Sequence, residues 1–444
     1  MVILIKVLQL ILSLSILVIV HEFGHFIAAK IFKTKVEKFY LFFNPWFSIF
    51  KFKYKDTEYG LGWLPLGGYV KIAGMIDESM DKEQMKKPPQ PWEFRSKPAW
   101  QRLIIMLGGV IMNVVLAIVI YIFMLSYYGE EYLPTSEVNK YGISVDSTAM
   151  AMGFRNGDKI ISIDGRYIDN FQKIPVDIIL NEAKTAQVLR HGKEINITFP
   201  EGSLSRLIKQ KSPAFISVRI PFVVDHFSPG SVAKKAGVLP GDTILGLNGM
   251  NLKFFNEFRE EIQKHKNQEV TIDLKRGNDT LHFQMTLDEK GLIGVYPKAD
   301  LSAFFHLKEK KYTVVQAIPA GFTRTWDGIG NYLKQLKLLF SPEVKAYESI
   351  GGFGTIASIF PAQWHWESFW RLTAFLSIML AILNILPIPA LDGGHVLFLL
   401  YEIITGRKPS DKFLEYAQIV GMIILFSLLI LANGNDIVRY FSSR

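Results

Sequence analysis

Cysteine is absent from this chain of 444 residues, and charged residues make up only 20% of it. Without cysteine the protein forms neither disulfides nor Cys-ligated zinc or iron–sulfur sites, although this absence says little about its compartment. Hydrophobic residues reach 49%, with a mean hydropathy of +0.19. That balance is too apolar for an ordinary soluble protein and too charged for one made only of membrane spans. We therefore expect a membrane protein with a sizeable soluble portion.

The apolar residues are concentrated in four segments, each long enough for a bilayer core that needs about 20 apolar residues. These segments are 2–20, 103–125, 372–401 and 413–432. The first could be mistaken for a signal peptide, but no small-residue cleavage site follows it, so we expect a retained span. The predicted fold class is a polytopic α-helical membrane protein with four spans.

The formal net charge of +9 could indicate nucleic-acid binding, but lysines and arginines gather beside the apolar segments. They follow the first segment, precede the second and separate the third from the fourth, whereas Glu130 and Glu131 follow the second. Basic loops of membrane proteins remain in the cytoplasm. We therefore expect loops 33–100 and 406–412 to be cytoplasmic, residues 129–365 and both termini to lie on the other side, and no nucleic-acid partner.

An internal repeat occupies the large region between the second and third segments. Residues 147–165 align with residues 231–249 at an offset of 84, with matching Gly, Gly-Asp and Asp/Asn-Gly positions. The repeat indicates a duplicated domain and resembles PDZ domains of bacterial proteases, which bind extended peptides at an exposed strand edge. The alternative is a pair of small β domains that act as spacers or filters without peptide affinity.

Two further stretches carry signals of regular structure. Thr57–Gly74 mixes β-formers with paired glycines, which predicts membrane-associated β-hairpins in the cytoplasmic loop. Residues 325–340 have a helical period with interspersed lysines, which predicts an amphipathic helix at the outer membrane surface or a helix packed on the duplicated domains. The predicted organisation is four membrane segments (1–32, 99–128, 366–406 and 407–444), the cytoplasmic loop 33–98, two PDZ domains (129–213 and 214–300) and an amphipathic helical region (301–365).

The first apolar segment ends in His21-Glu22-Phe23-Gly24-His25, which is an H-E-x-x-H motif. On a helix, positions i and i+4 share one face, so both imidazoles can bind one Zn²⁺. Glu22 lies about 100° round the helix from His21, where it can reach a metal-bound water as a general base. A soluble protein could carry this motif on a salt-bridged surface helix, but ionisable groups inside a span must pair or coordinate something. We therefore expect a metal site.

A catalytic zinc needs three protein ligands and one open position. Asp392 is the expected third ligand, because it lies in NILPIPALDGGH, where two prolines interrupt the third apolar segment. His395 is a competing ligand or a supporting residue. Asn384 could bind a substrate backbone or cap the helix at the break. Asn113, in the second segment, lines the same polar interior or only forms a hydrogen bond between helices.

Together these motifs resemble those of the site-2 protease family of intramembrane zinc metalloproteases, nearest to the bacterial type that regulates sigma-E. The resemblance covers nearly the whole chain: H-E-x-x-H, LPLGGYVK in the cytoplasmic loop, the two PDZ-like copies and N-x-x-P-x-P-x-x-D-G. It implies one catalytic zinc with Glu22 as the base, and the implied zinc ligands are His21, His25 and Asp392. The residues implied to hold the substrate are Asn384, Gly67, Gly68 and Tyr69.

Two positions depart from the usual motifs of that family. Val110 stands where the second segment would have proline in G-P-x-x-N, and Phe353 stands where G-G-P would have proline before the third segment. Neither position is a predicted ligand. The departures therefore bear on local backbone geometry rather than on the chemistry.

The resemblance also implies a function in regulated intramembrane proteolysis during a stress response. The substrates would be single-span membrane proteins, such as anti-sigma factors already cut by another protease, or remnant signal peptides, with the PDZ pair excluding uncut substrates by size. The protein would lie in the bacterial inner membrane, with PDZ domains and termini in the periplasm. Its active site would lie in the cytoplasmic half of the bilayer, since His25 is eight residues before Lys33.

The alternative function is a non-catalytic, membrane-anchored PDZ scaffold with a structural zinc. A structural zinc usually has four protein ligands and does not need a base such as Glu22. A third class, a metal or proton transporter, would need more polar residues along several spans than this sequence has. The sequence therefore favours the protease.

Overall fold

The computed structural model describes residues 1–75, 88–210, 214–339 and 350–442. The chain divides into two compact units, Met1–Gly129 with Lys311–Arg444, and Glu130–Lys310. The described helices of the first unit are α1 Val2–Ile31, α2 Ala99–Tyr127, α3 Val314–Leu339, α4 Phe353–Ser358, α5 Trp366–Ile385, α6 Asp392–Thr405 and α7 Asp411–Ser442, with a 3₁₀ turn at Phe94–Ser96. Its described strands are β1 Val36–Phe43, β2 Phe50–Tyr54, β3 Thr57–Leu61 and β4 Leu64–Ile72.

Four of the described helices, α1, α2, α5 and α7, are long and apolar enough to cross a membrane. The prediction of four membrane helices is confirmed at this level. The third predicted segment is divided, because α5 ends at Ile385 and α6 begins at Asp392. Pro387 and Pro389 lie in the gap, where the missing N–H of proline prevents a continuous helix.

Helix α2 lies among the other helices of this unit and packs against α1, α3, α5 and α6. The helix predicted within residues 301–365 is α3, which extends along α2 and α5. Its side chains Ile329, Tyr332 and Leu336 pack against Ala117 of α2 and Ile378 of α5. Periodicity predicted the apolar face of α3, and that face packs on α2 and α5. Its place at the outer membrane surface or on the duplicated domains stays a prediction.

The four described strands of the first unit form one sheet in the order β2-β3-β1-β4. Strand β1 pairs in parallel with β3 and antiparallel with β4, and Tyr40 lies opposite Tyr69 with their rings stacked at 5.3 Å. The strands expected within Thr57–Gly74 are β3 and β4. Among the described strands β4 forms an edge of the sheet, and it packs against α1. This packing brings the edge of the sheet to the helix that carries H-E-x-x-H.

The described residues of the second unit form two hydrophobic cores, one from residues within 133–210 and 214–216 together with Phe305 and the other from residues within 222–293. Its described strands are Glu130–Tyr132, Ile143–Val145, Lys159–Ile163, Thr185–Arg190, Lys193–Thr198, Ile216–Val218, Phe222–Phe227, Thr243–Leu247, Met250–Asn251, Glu269–Arg276, Asp279–Thr286, Val295–Pro297 and Lys308–Lys310. Its described α-helices are Thr135–Val138, Ser147–Met152, Ile174–Leu180, Ser203–Gln210, Val232–Ala236 and Phe255–Ile262.

An arginine–aspartate pair recurs at the same place in both cores. Arg190 donates to both carboxylate oxygens of Asp158, at 2.7 Å each, and to the carbonyl oxygen of a preceding glycine at 2.8 Å. Arg276 donates in the same way to Asp242, at 2.8 and 2.7 Å, and to a glycine carbonyl at 2.9 Å. The two aspartates are aligned positions of the sequence repeat, so the repeat extends to their partners. The assignment of the two halves to PDZ domains stays a prediction.

Candidate metal centre

The H-E-x-x-H motif lies within α1, and Asp392 is the first residue of α6, directly after the break in the third apolar segment. The Oδ2 atom of Asp392 is 3.2 Å from Nε2 of His21 and 3.3 Å from Nε2 of His25. The two Nε2 atoms are 3.3 Å apart. The break in the helix therefore lets a carboxylate 367 residues along the chain from His25 meet both imidazoles.

The spacing of these three atoms fits a zinc ion. Zinc–nitrogen and zinc–oxygen bonds are about 2.0–2.2 Å, so two ligands of a tetrahedral site lie about 3.3–3.6 Å from each other. Both histidines are 7% exposed, and the carboxyl side chain of Asp392 is 15% exposed. Among the described residues these three form a group of potential ligands whose atoms all lie within 4.8 Å of one another. A three-residue group of this kind leaves the fourth tetrahedral position open.

The ligand group lies in the wall of a cavity of about 560 Å³. The cavity is lined by residues from α1, β1, β4, α2, α4, α5, α6 and α7, all of which belong to the first unit. Glu22 lines it beside the two histidines, and the backbone N–H of Val70 on β4 donates a hydrogen bond to its carboxylate. The predicted base therefore lies between the ligand group and the edge of the sheet.

The residues predicted to hold substrate line the same cavity on two sides. Gly67, Gly68 and Tyr69 lie on β4, and the hydroxyl of Tyr69 donates to Asn44 at 3.0 Å. Asn384 lies near the end of α5, and its amide nitrogen is 3.1 Å from Nε2 of His21. The side chain of Asn384 therefore contacts a member of the ligand group, and both of its predicted roles stay predictions.

The two residues whose roles the sequence left open are also placed by the structure. His395 lines the cavity but is not a member of the ligand group found among the described residues. Asn113 is fully buried, and its amide nitrogen is 3.0 Å from Nδ1 of His21. This contact joins α2 to α1 and also reaches a member of the ligand group, so both readings of Asn113 stay predictions.

Sequence reasoning missed the contact between His25 and α2. The carbonyl oxygen of Ile105 lies 2.8 Å from Nδ1 of His25. A backbone carbonyl leaves no residue-type signal, although the paired glycines Gly108 and Gly109 mark a close helix approach. Phe353, which replaces the usual proline, also lines the cavity. The departure at this position therefore changes the wall of the site and not only the backbone before α5.

Comparison with known proteins gives a family for this arrangement. Residues 9–428 match the family described as Peptidase family M50. The chain is 27% identical to "Protease RseP" of Yersinia pestis, with 97% of each chain covered. It is 27% identical to "Putative zinc metalloprotease NMA0084" of Neisseria meningitidis, covering 97% of this chain and 98% of that one. The chain therefore belongs to peptidase family M50, the site-2 proteases, and is a zinc metalloprotease of the membrane rather than a non-catalytic scaffold.

Proposed function

We propose that this protease hydrolyses peptide bonds within or next to the membrane span of single-span membrane proteins. The observation that carries the proposal is the place of the ligand group in the fold. His21 and His25 lie on α1, which is apolar enough to cross a membrane, and Asp392 follows α5, which is another such helix. A peptide bond must therefore enter the apolar part of the protein to reach the group.

In this proposal His21, His25 and Asp392 hold one catalytic zinc, and Glu22 is the base. When bound, zinc supplies Lewis-acid polarisation of the scissile carbonyl and makes a water molecule more acidic. Glu22 accepts the proton released by the attacking water and transfers it to the leaving amine nitrogen. The carboxylate is thereby restored after each cut. The N–H of Val70 keeps that carboxylate at the wall of the cavity.

The substrate must be extended before it can be cut, because the carbonyl groups of a helix are bonded within the helix. The β4 edge, with Gly67, Gly68 and Tyr69, offers backbone groups that could pair with an extended substrate strand beside Glu22. The amide of Asn384 faces the cavity from α5 and would bond the backbone of the same strand. A substrate strand held between β4 and Asn384 would pass beside His21, His25 and Asp392.

The setting in the cell follows from the same proposal. The charge bias of the loops supports an inner-membrane protein with its termini and the second unit in the periplasm and the metal centre in the cytoplasmic half of the bilayer. The second unit would be two PDZ domains that exclude untrimmed substrates by size. Substrates would be anti-sigma factors already cut by another protease, or remnant signal peptides, in a stress response by regulated intramembrane proteolysis.

The test uses the full chain reconstituted in liposomes with a single-span substrate labelled at both ends. The Glu22→Gln variant should bind zinc as the wild type does and fail to cut, because the amide cannot accept the proton. Glu260→Gln, an exposed position of the second unit, is the matched control and should cut normally. Mass spectrometry of the products should locate the cut within or next to the substrate span.

Three results would contradict parts of the proposal. Normal cutting by Glu22→Gln would remove Glu22 as the base, and unchanged zinc content in Asp392→Ala would remove Asp392 as a ligand. Products cut far from the span would refute intramembrane hydrolysis. For the size filter, removal of residues 135–300 should permit cutting of untrimmed substrate by a variant that still binds zinc, and continued refusal would count against the filter.

A further inference from the structure

Helix α2 approaches the two histidines without any intervening side chain. A Cβ atom added to Gly109 would lie 2.5 Å from Nε2 of His25 and 2.6 Å from Cε1 of His21. Real Cβ atoms do not approach other heavy atoms this closely, so the position accepts only glycine while the rings stay in place. The backbone of α2 is therefore in direct contact with both potential ligands.

This approach brings a polar group of α2 to the Nδ1 atom of each ring. Nδ1 of His25 is 2.8 Å from the carbonyl oxygen of Ile105, and Nδ1 of His21 is 3.0 Å from the amide of Asn113. Ile105 and Asn113 are four residues before and four residues after Gly109, so all three share one face of α2. Both Ile105 and Asn113 are fully buried.

The side of each ring that faces α2 determines which nitrogen is free for a metal. A neutral imidazole that binds a metal through Nε2 carries its proton on Nδ1, and that N–H needs an acceptor. The carbonyl oxygen of Ile105 is such an acceptor for His25. For His21 the acceptor must come from Asn113, whose Oδ1 is buried and has no hydrogen-bond partner among the described residues. A half-turn of the amide exchanges its nitrogen and oxygen and places Oδ1 against Nδ1.

We infer that Asn113 is a positioning residue whose amide oxygen accepts the Nδ1–H of His21 and so leaves Nε2 of His21 free for zinc. The carbonyl of Ile105 does the same for His25. The inference rests on the proposed zinc site. Outer hydrogen-bond partners of metal ligands typically contribute about 10–100-fold to metal affinity. Loss of the acceptor at Asn113 should weaken zinc binding by that factor.

Two substitutions separate this role from a purely structural one. Asn113→Leu keeps nearly the same volume but removes the acceptor, whereas Asn113→Asp keeps an oxygen acceptor and strengthens the hydrogen bond. If Asn113 is a positioning residue, the leucine variant should bind zinc weakly and the aspartate variant should bind it almost as the wild type does. If Asn113 only packs between helices, the aspartate variant should bind zinc more weakly than the leucine variant. The reason is that a buried carboxylate destabilises the fold far more than a buried leucine.

The experiment measures the zinc affinity of the purified full chain in detergent by competition with a chelator of known affinity. Ser13→Ala is the control: Ser13 is buried on α1, eight residues before His21, and accepts a hydrogen bond from Thr373 of α5 at 3.0 Å. The control should bind zinc as the wild type does. Asn113→Leu should bind about 10–100-fold more weakly.

Thermal unfolding in the same detergent identifies variants that fail to fold. Wild-type zinc affinity in Asn113→Leu would overturn the inference, as would weak zinc binding by a folded Asn113→Asp variant. If the leucine variant does not fold, the aspartate variant decides alone, and its near-normal affinity supports the inference. Failure of the wild type itself to bind zinc would instead refute the proposed metal site, so the two failures are distinguishable.

Discussion

Replacing Gly108 by alanine tests whether the close spacing of α1 and α2 holds the two histidines in place. A Cβ atom at Gly108 would lie 2.5 Å from the carbonyl oxygen of Gly24 and 3.2 Å from the backbone nitrogen of His25. Carbon–oxygen contacts between helices are normally about 3.3–3.6 Å. The two helices must therefore move apart by about 0.8 Å or more to admit the methyl group.

The size of this movement decides its effect on the site. Nδ1 of His25 is 2.8 Å from the carbonyl oxygen of Ile105. A separation of about 0.8 Å would lengthen this contact to about 3.6 Å, which is outside the range of about 2.7–3.2 Å for N–H···O hydrogen bonds. Because loss of such a partner typically costs about 10–100-fold in metal affinity, Gly108→Ala should lose about 1.4–2.7 kcal/mol of zinc-binding free energy.

The assay is zinc affinity by chelator competition, together with thermal unfolding of the full chain in detergent. Gly434→Ala on α7 is the matched control, because no atom lies within 4 Å of the position that its Cβ would take. The control should keep normal zinc affinity. Wild-type zinc affinity in a folded Gly108→Ala variant would refute the idea that this helix spacing positions His25.

Three further predictions concern ion pairs and caps. Asp158→Ala removes the buried carboxylate that accepts two hydrogen bonds from Arg190 and should lower the opening free energy of the first core of the second unit by about 1.5–3 kcal/mol; unchanged hydrogen exchange would contradict this. Burial raises the pKa of the Asp242 carboxyl, but Arg276 and a backbone N–H outweigh it and hold that pKa below its usual 3.8. The stability that Asp242 adds is thus present at neutral pH and lost as pH falls through the folded pKa, so Arg276→Leu should move acid unfolding, followed by circular dichroism, to higher pH. Asp436 accepts the backbone N–H of Thr355 at 2.9 Å, so Asp436→Ala should weaken α4 by about 1 kcal/mol and speed its hydrogen exchange; an unchanged exchange rate would argue against this cap.

The three residues of the candidate ligand group could be picked out from the sequence because each depends on a local pattern. His21 and His25 share a helix face by their spacing alone, and that holds for any helix that contains them. Asp392 is far away along the chain, but it is a carboxylate beside two prolines in an otherwise apolar segment. A carboxylate is costly at that depth unless it is bonded, so the pattern already indicated that a partner exists.

The contacts from α2 could not be predicted in the same way. The acceptor for His25 is the main-chain oxygen of Ile105, and any residue type supplies such an oxygen. Only the approach of the helices, which Gly24 and Gly108 permit, makes this carbonyl available. The same limit applies to α3: periodicity shows which face is apolar, but the partner depends on the surface that the other helices present.

The polar contacts around the metal centre depend on one another because water is scarce among apolar helices. Ser377 of α5 donates to the backbone carbonyl of Asn113 at 2.7 Å, so α5 holds the turn of α2 from which the Asn113 side chain extends. In an apolar medium no solvent replaces a lost partner, so an unpaired group costs more than it would at a protein surface. A change in the spacing of α1 and α2 should therefore be transmitted to the histidines rather than be absorbed by hydration.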